Sequence, residues 1–356
     1  MAGATAAVAK AAASARVVRI CDSADDAVAL RLRVLDELRR VVGFDAFAWL
    51  LTDPVTSVGS APLADVPCLS ELPRLVRLKY LSQVNRWTRL RRRPVGLLSE
   101  ATEGALARSP LWEELLSHYE VGDVASVVFR DAYGCWGFLD LWRFETAGRY
   151  TADDAAFLER IAAPVAGGLR RCQANTFVGR PPRASHRPGP VVLLLSPDLD
   201  VVGQTPETHE YLRLLVPPPE GQPPVPASAY NVAAQLLANE AGVDGNPPRA
   251  RVHLADGLWL TVRAARIGGS TGAGDSNIAV TVEESSPTER LELFSRVFAL
   301  SARERELLTG LASGLDTRHL AAAMHLSEHT IQDHLKSVFA KTSTHSRRSL
   351  LARALG

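Results

Sequence analysis

The chain has 356 residues, more than one ordinary domain holds, so two or three domains are expected. With 46% hydrophobic and 22% charged residues it has the material for real cores, which excludes global disorder. A net charge of +1 gives no general attraction to nucleic acid, so any DNA site has to be a local basic face.

Residues 1–15 are Ala-rich around a lone Lys10 and lack the long Leu/Val/Ile core of a secretory leader. A disordered start is expected, with structure from residue 16. Val28, Leu32, Leu35 and Leu38 recur at helical spacing and predict a helix over 27–42. Residues 47–51 read as a strand, Asp53-Pro54 as a turn, and 72–92 as one long helix. The runs 124–129 and 135–142 flank Asp131-Ala132-Tyr133-Gly134, which predicts two strands joined by a hairpin loop. Thr151 with Asp154 has capping-box spacing and starts a helix to about 171. Helix, strands, hairpin and closing helix predict an α+β sandwich rather than a parallel βαβ series. That order resembles a GAF-type sensory domain, over 16–175.

Residues 179–190 read GRPPRASHRPGP, a linker composition. Over 190–284 the expected elements are a strand at 191–195, a turn at Ser196-Pro197-Asp198, and a short strand at 201–202. A helix is expected at 205–215, a Pro-rich surface loop at 216–226, and strands at 251–254, 258–267 and 278–283, with Asp256-Gly257 turning between the first two of these. Strand, helix and antiparallel meander resemble a PAS-type domain; the Asp-Gly turn before Leu258-Trp259-Leu260 and the closing Ile278–Val282 run carry the resemblance. A parallel phospho-acceptor receiver does not fit a meander, and 268–274 lacks the Lys of a phosphate-binding loop and is expected to be a hairpin loop.

Ser286, Pro287 and Glu289 fit N-cap, N1 and N3 of a linker helix within 286–299. Residues 300–356 then divide into four helices. Ser301 with Glu304 is a capping box before the Leu307, Leu308, Leu311 stripe, and Gly314 is a suitable stop. Asp316 or Thr317 caps a short second helix. Ser327 caps a third after a three-residue break, a helix-turn-helix length, and Ser346 caps the fourth. On the third helix Ile331, Leu335, Val338 and Thr342 form a core stripe. His329, Gln332, Asp333, Lys336 and Ala340 fall on the opposite side, the kind of face a major groove accepts.

Leu300-Ser301-x-Arg303-Glu304, Gly314, Leu320-Ala321, Leu326-Ser327-x-x-Thr330-Ile331, His334-Leu335, Lys341 and Arg347 resemble the LuxR-type (NarL/FixJ-type) DNA-binding domain. The resemblance implies an all-α four-helix fold in which Thr330 holds a phosphate, Gln332, Asp333 and Lys336 occupy the base-reading positions, and Lys341 and Arg347 grip the backbone. Two departures stand out. Asp333 sits where many members carry an apolar or neutral side chain, and Thr342-Ser343 replaces the usual Leu-Gly, which bears on the geometry of the turn before the last helix. Eight Lys/Arg against five Asp/Glu from residue 300 on give a local +3.

Competing signals are weaker. Cys21, Cys68, Cys135 and Cys172 form no C-x-x-C and read as reduced structural thiols. Five histidines after residue 300 lack zinc-site spacing, so no metal is expected. The basic run RWTRLRRR at 86–93 reads as a solvated helix end with a core-facing Trp87. No catalytic constellation, cofactor motif or membrane-length apolar run is present, and no internal repeat is evident. The expected protein is therefore a cytoplasmic, multidomain, homodimeric regulator of transcription. It binds double-stranded DNA under control of a small molecule or partner at the GAF-like or PAS-like module. Its rivals are an interaction module with a degenerate helix-turn-helix and an enzyme with a regulatory C-terminal domain.

Overall fold

The computed structural model describes residues 2–178 (side chains from residue 7), 191–208, 212, 226–254, 258–268 and 276–356. The 179–190 linker, the Asp256-Gly257 turn and most of 205–215, 216–226 and 268–274 lie outside these residues.

The chain opens with helix α1 (Ala2–Ser23) and α2 (Ala27–Val41), followed by strands β1 (Ala46–Thr52) and β2 (Gly59–Asp65). Next come α3 (Leu72–Leu81), β3 (Val95–Leu97), the short α4 (Leu98–Ala101) and α5 (Pro110–Glu114), then β4 (Val121–Asp131), β5 (Gly134–Phe144) and α6 (Ala152–Asn175). The strands form one antiparallel sheet in the order β2-β1-β5-β4-β3. Phe47, Trp49 and Leu51 alternate onto the face covered by α1, α2 and α6, whereas Ala48 and Leu50 face the other side. Both faces are covered, which is why β4 and β5 are buried almost throughout.

Three expectations fail here. The first residues are not disordered: α1 buries Ala13, Val17, Ile20 and Cys21 against α6. Alanine is the best helix former, and close approach replaces bulk, since a Cβ on Gly168 of α6 would lie 3.0 Å from Cys21 Cβ. In α2 the buried stripe is Leu30, Val34, Leu35 and Leu38, leaving Val28 and Leu32 exposed. The 72–92 helix stops at Leu81 because Arg86 is drawn into the interior. Its guanidinium donates to Tyr80 O (2.9 Å), Gln235 Oε1 (3.0 Å) and Asp244 Oδ2 (3.0 Å). Trp87 is buried as expected, stacked on Phe138 at 4.4 Å.

The second sheet is built from β6 (Val191–Leu195), β7 (Val201–Gln204), β8 (Arg249–His253), β9 (Trp259–Arg266) and β10 (Ile278–Glu284). A helix that the sequence pattern does not announce, α7 (Ala227–Glu240), covers one face. The sheet is antiparallel in the order β7-β6-β10-β9-β8. Counted along each sheet separately, both read 2-1-5-4-3, so one architecture occurs twice although no sequence repeat announces it.

The remaining helices are α8 (Pro287–Val297), α9 (Ala302–Ala312), α10 (Thr317–Met324), α11 (Glu328–Thr342) and α12 (Arg347–Leu355). Phe177, after α6, stacks on Trp259 (5.4 Å) and meets Phe294 edge-on (5.5 Å), which joins both sheet-bearing units to α8. The ion pair of Asp53 and Arg251 does the same; both side chains are 0% exposed. No helix among the described residues is long and apolar enough to cross a membrane.

Candidate nucleic-acid interface

Local chemistry fixes each C-terminal helix. Ser301 Oγ accepts from the Glu304 N–H while the Glu304 carboxylate accepts from the Ser301 N–H at 2.6 Å, a closed capping box. Gly314 follows α9 with φ +82°, which glycine adopts without penalty. Gly310 matters for its missing side chain, because a Cβ there would lie 2.5 Å from Leu320 Cδ2, so glycine lets α10 close on α9. Asp316 caps α10 through the His319 N–H (2.9 Å) and Ser327 caps α11 through the Thr330 N–H (3.1 Å). Between them His325 takes the left-handed conformation, φ +55°.

The unusual Thr342-Ser343 pair is absorbed locally. Ser343 adopts φ +50°, as a glycine would, and Thr342 Oγ1 donates to Val338 O at 2.8 Å. Arg353 on α12 donates to Thr342 O (2.5 Å). The turn before the last helix is thus made with a non-glycine residue in the left-handed region.

On α11, Ile331, Leu335, Val338 and Thr342 are buried, while His329, Gln332, Asp333, Lys336 and Ala340 are exposed. Asp333 Oδ1 accepts from Lys336 Nζ at 3.2 Å, and Asp333 Oδ2 lies 3.5 Å from His329 Nε2. Thr330 is half-buried in the first turn, with its hydroxyl 2.9 Å from Ser327 Oγ. Lys341 follows Gln332 by about two and a half turns and so stands on another side of the helix. There its Nζ meets Glu304 Oε2 at 2.7 Å. Arg347 Nη2 donates to Thr317 Oγ1 at 2.6 Å. The structure therefore gathers Gln332, Asp333 and Lys336 on one surface, keeps Thr330 in the first turn of the same helix, and holds Lys341 and Arg347 apart from that surface on Glu304 and Thr317.

Glu304 is the residue whose part the sequence pattern understates. Burial opposes its charge, but the Lys341 ammonium, the Ser337 hydroxyl (2.6 Å) and the Ser301 N–H outweigh burial and hold the carboxyl at about 2. It ties the start of α9 to α11. The capping spacing locates Glu304 but gives no hint of partners 33 and 37 residues away.

Residues 299–354 match the model of the luxR family of bacterial regulatory proteins, the GerE domain. The C-terminal unit is a luxR-type domain. A 71-residue stretch is 42% identical to the probable HTH-type transcriptional regulator GfsR of Streptomyces halstedii, covering 20% of this chain and 29% of that protein. The chain thus spans under a third of the length of that relative. Among solved structures, a Vibrio cholerae VqmA dimer in the absence of target DNA, described as a LuxR-type receptor, aligns at 18% identity. That alignment spans 47% of this chain and 82% of that one with a TM-score of 0.19, too low to bear on how the domains are arranged here. Outside the luxR-type domain, the basic run at 86–93 is committed internally only in part: Arg86 is held by Asp244 and Arg89 Nη2 donates to Val243 O at 3.0 Å, while Arg91, Arg92 and Arg93 are exposed. Among the described residues no group of histidines, cysteines and carboxylates is arranged to hold a metal ion.

Proposed function

We propose that the chain is a sequence-specific transcription regulator that places the polar face of α11 in the major groove, under the control of signals received by the two sheet-bearing units. The observation that carries this is the division of α11 inside a luxR-type domain, with its apolar stripe spent on the core and Gln332 and Lys336 left in solvent. Gln332 and Lys336 read base edges, and Asp333, once released by Lys336, accepts from a cytosine amino group. Thr330, Lys341 and Arg347 hold phosphates, with Lys341 and Arg347 exchanging Glu304 and Thr317 for the DNA backbone. Two recognition helices on half-sites about one helical turn apart make the working form a homodimer. The setting is the cytoplasm.

The sensory part of the reading assigns a GAF-like module to 16–175, a PAS-like module to 190–284 and the transmitter to 286–299. Its support is the shared 2-1-5-4-3 strand order and the way α8 is held by both sheets. Arg296 Nη1 donates to Tyr133 O at 2.7 Å, and Arg251 Nη1 to Glu289 O at 2.8 Å. α12 packs on α8 in turn, with Leu351 and Leu355 half-buried. A signal that shifts either sheet shifts α8 and with it the population of DNA-competent dimers.

The test is selection of bound sequences from random duplexes, followed by gel shifts at two salt concentrations. Lys336→Ala should weaken binding, and Gln332→Ala should relax discrimination at one or two base pairs by roughly 1–3 kcal/mol. If both variants keep the affinity and preference of the parent, the face is wrongly assigned. The closure of Asp333 on Lys336 and His329 favours one rival, an interaction module with a degenerate helix-turn-helix. That rival predicts no salt-dependent duplex binding at all.

A further inference from the structure

A cavity of about 350 Å³ lies between α3, the outer face of the first sheet and α7. That is within the range of small-molecule sites, roughly 300–1,000 Å³. Leu50, Leu63, Leu72, Val76, Phe138 and Trp142 supply an apolar wall from the first unit, and Ala227 and Asn231 roof it from the second. Gly59 makes room for the roof. A Cβ there would fall 2.6 Å from Leu50 Cδ2 and 3.3 Å from Asn231 Cγ, so the missing side chain eases the approach of α7 to β2.

The wall carries two polar features. Lys79 Nζ and Asp140 Oδ2 pair at 2.6 Å, and Ser126 Oγ donates to Asp140 Oδ1 at 2.7 Å, a closed group with no net charge to attract an ion. Asn231 differs: it is 2% exposed, lines the cavity, and its Oδ1 is buried with no hydrogen-bond partner. A buried polar atom without a partner is costly and rare in native proteins.

We propose that this cavity binds a neutral, mainly hydrocarbon alcohol whose hydroxyl donates to Asn231 Oδ1 once the amide turns that oxygen toward the cavity. The apolar wall takes the body, the closed Lys79–Asp140 pair gives a charged ligand no advantage, and a hydroxyl suits either face of the amide because it both donates and accepts. The consequence rests on the regulator reading. α7 lies between the cavity and the second sheet, whose Arg251 holds α8, so an occupant touches the first helix of a packed route to the luxR-type domain.

The test uses the full chain and N-phenyl-1-naphthylamine, a neutral apolar fluorophore with one N–H donor. One saturable site per chain is expected. Val76→Trp and Leu63→Phe, which fill the cavity, should each weaken it by about tenfold or more while far-UV ellipticity is unchanged. Octan-1-ol should displace the probe at several-fold lower concentration than its isomer 1-methoxyheptane, which cannot donate, and Asn231→Leu should bring the two together. Absence of saturable binding, full binding in a folded filled variant, or equal displacement by alcohol and ether in the unsubstituted chain each overturns the proposal. Gel shifts on the same preparation separate the two readings. Duplex binding without probe binding defeats the cavity alone, and probe binding without duplex binding defeats the regulator alone.

Discussion

Asp53→Asn isolates the charge that joins the two sheets. The carboxylate accepts from Arg251 Nε (2.7 Å), Nη2 (2.8 Å) and the Arg251 backbone N–H (3.0 Å), and it also closes its own turn through the Val55 N–H (2.8 Å). Asparagine keeps an oxygen for the turn and loses the charge. Removing one partner of a buried ion pair typically costs 3–5 kcal/mol because the other charge is left uncompensated. Here Arg251 keeps Glu289 O at 2.8 Å and Glu292 Oε2 at 3.2 Å, so the low end applies, about 3 kcal/mol. In units of this size that is a fall of roughly 6–12 °C in the melting midpoint. Tryptophan fluorescence reads the right part of the chain, since all six tryptophans precede residue 260. The double change Asp53→Asn/Arg251→Met should recover most of the loss. Burial alone would raise the Asp53 pKa, but the Arg251 guanidinium outweighs it and holds the carboxyl below its ordinary value. Its stabilising effect is therefore present above the ordinary carboxylate range and is lost as pH falls through the lower folded value, a loss the Asn variant should not show. A single-variant change under about 1 kcal/mol, or a double variant no better than the sum of its parts, would refute the desolvated pair.

Glu304→Gln keeps an N3 capping residue but frees Lys341. The full depression to about 2 is worth roughly 3 kcal/mol, and because Lys341 is 37% exposed about 2 kcal/mol is expected. The gap between the two proteins in far-UV melts should be full above about pH 4.5 and close as pH falls toward 2; a gap independent of pH would refute it. Burial pushes the Cys21 thiol up to about 12 and the Cys172 thiol up to about 11, so iodoacetamide at pH 8 should label neither in the folded chain, and rapid labelling of either would contradict their packing. Val17, fully buried between α1 and its neighbours, should cost about 2 kcal/mol when changed to alanine. A melt unchanged by Val17→Ala would detach α1 from the core.

What the sequence settled by itself is concentrated after residue 286. Ser286, Ser301, Asp316, Ser327 and Ser346 each cap the helix their spacing announces, and α11 buries the stripe its periodicity announces. Those signals act within about four residues, and the stripe repeats every 3.6, so a linear string carries them. The tertiary structure alone decided the end of α3, where Arg86 leaves the helix to reach Gln235, 149 residues on. It also decided the Asp53–Arg251 bond across 198 residues, the docking of Ala-rich α1 on Gly168 and the twice-used strand order. A buried charge finds its partner by proximity in space, and proximity between distant segments leaves no periodic trace in the chain.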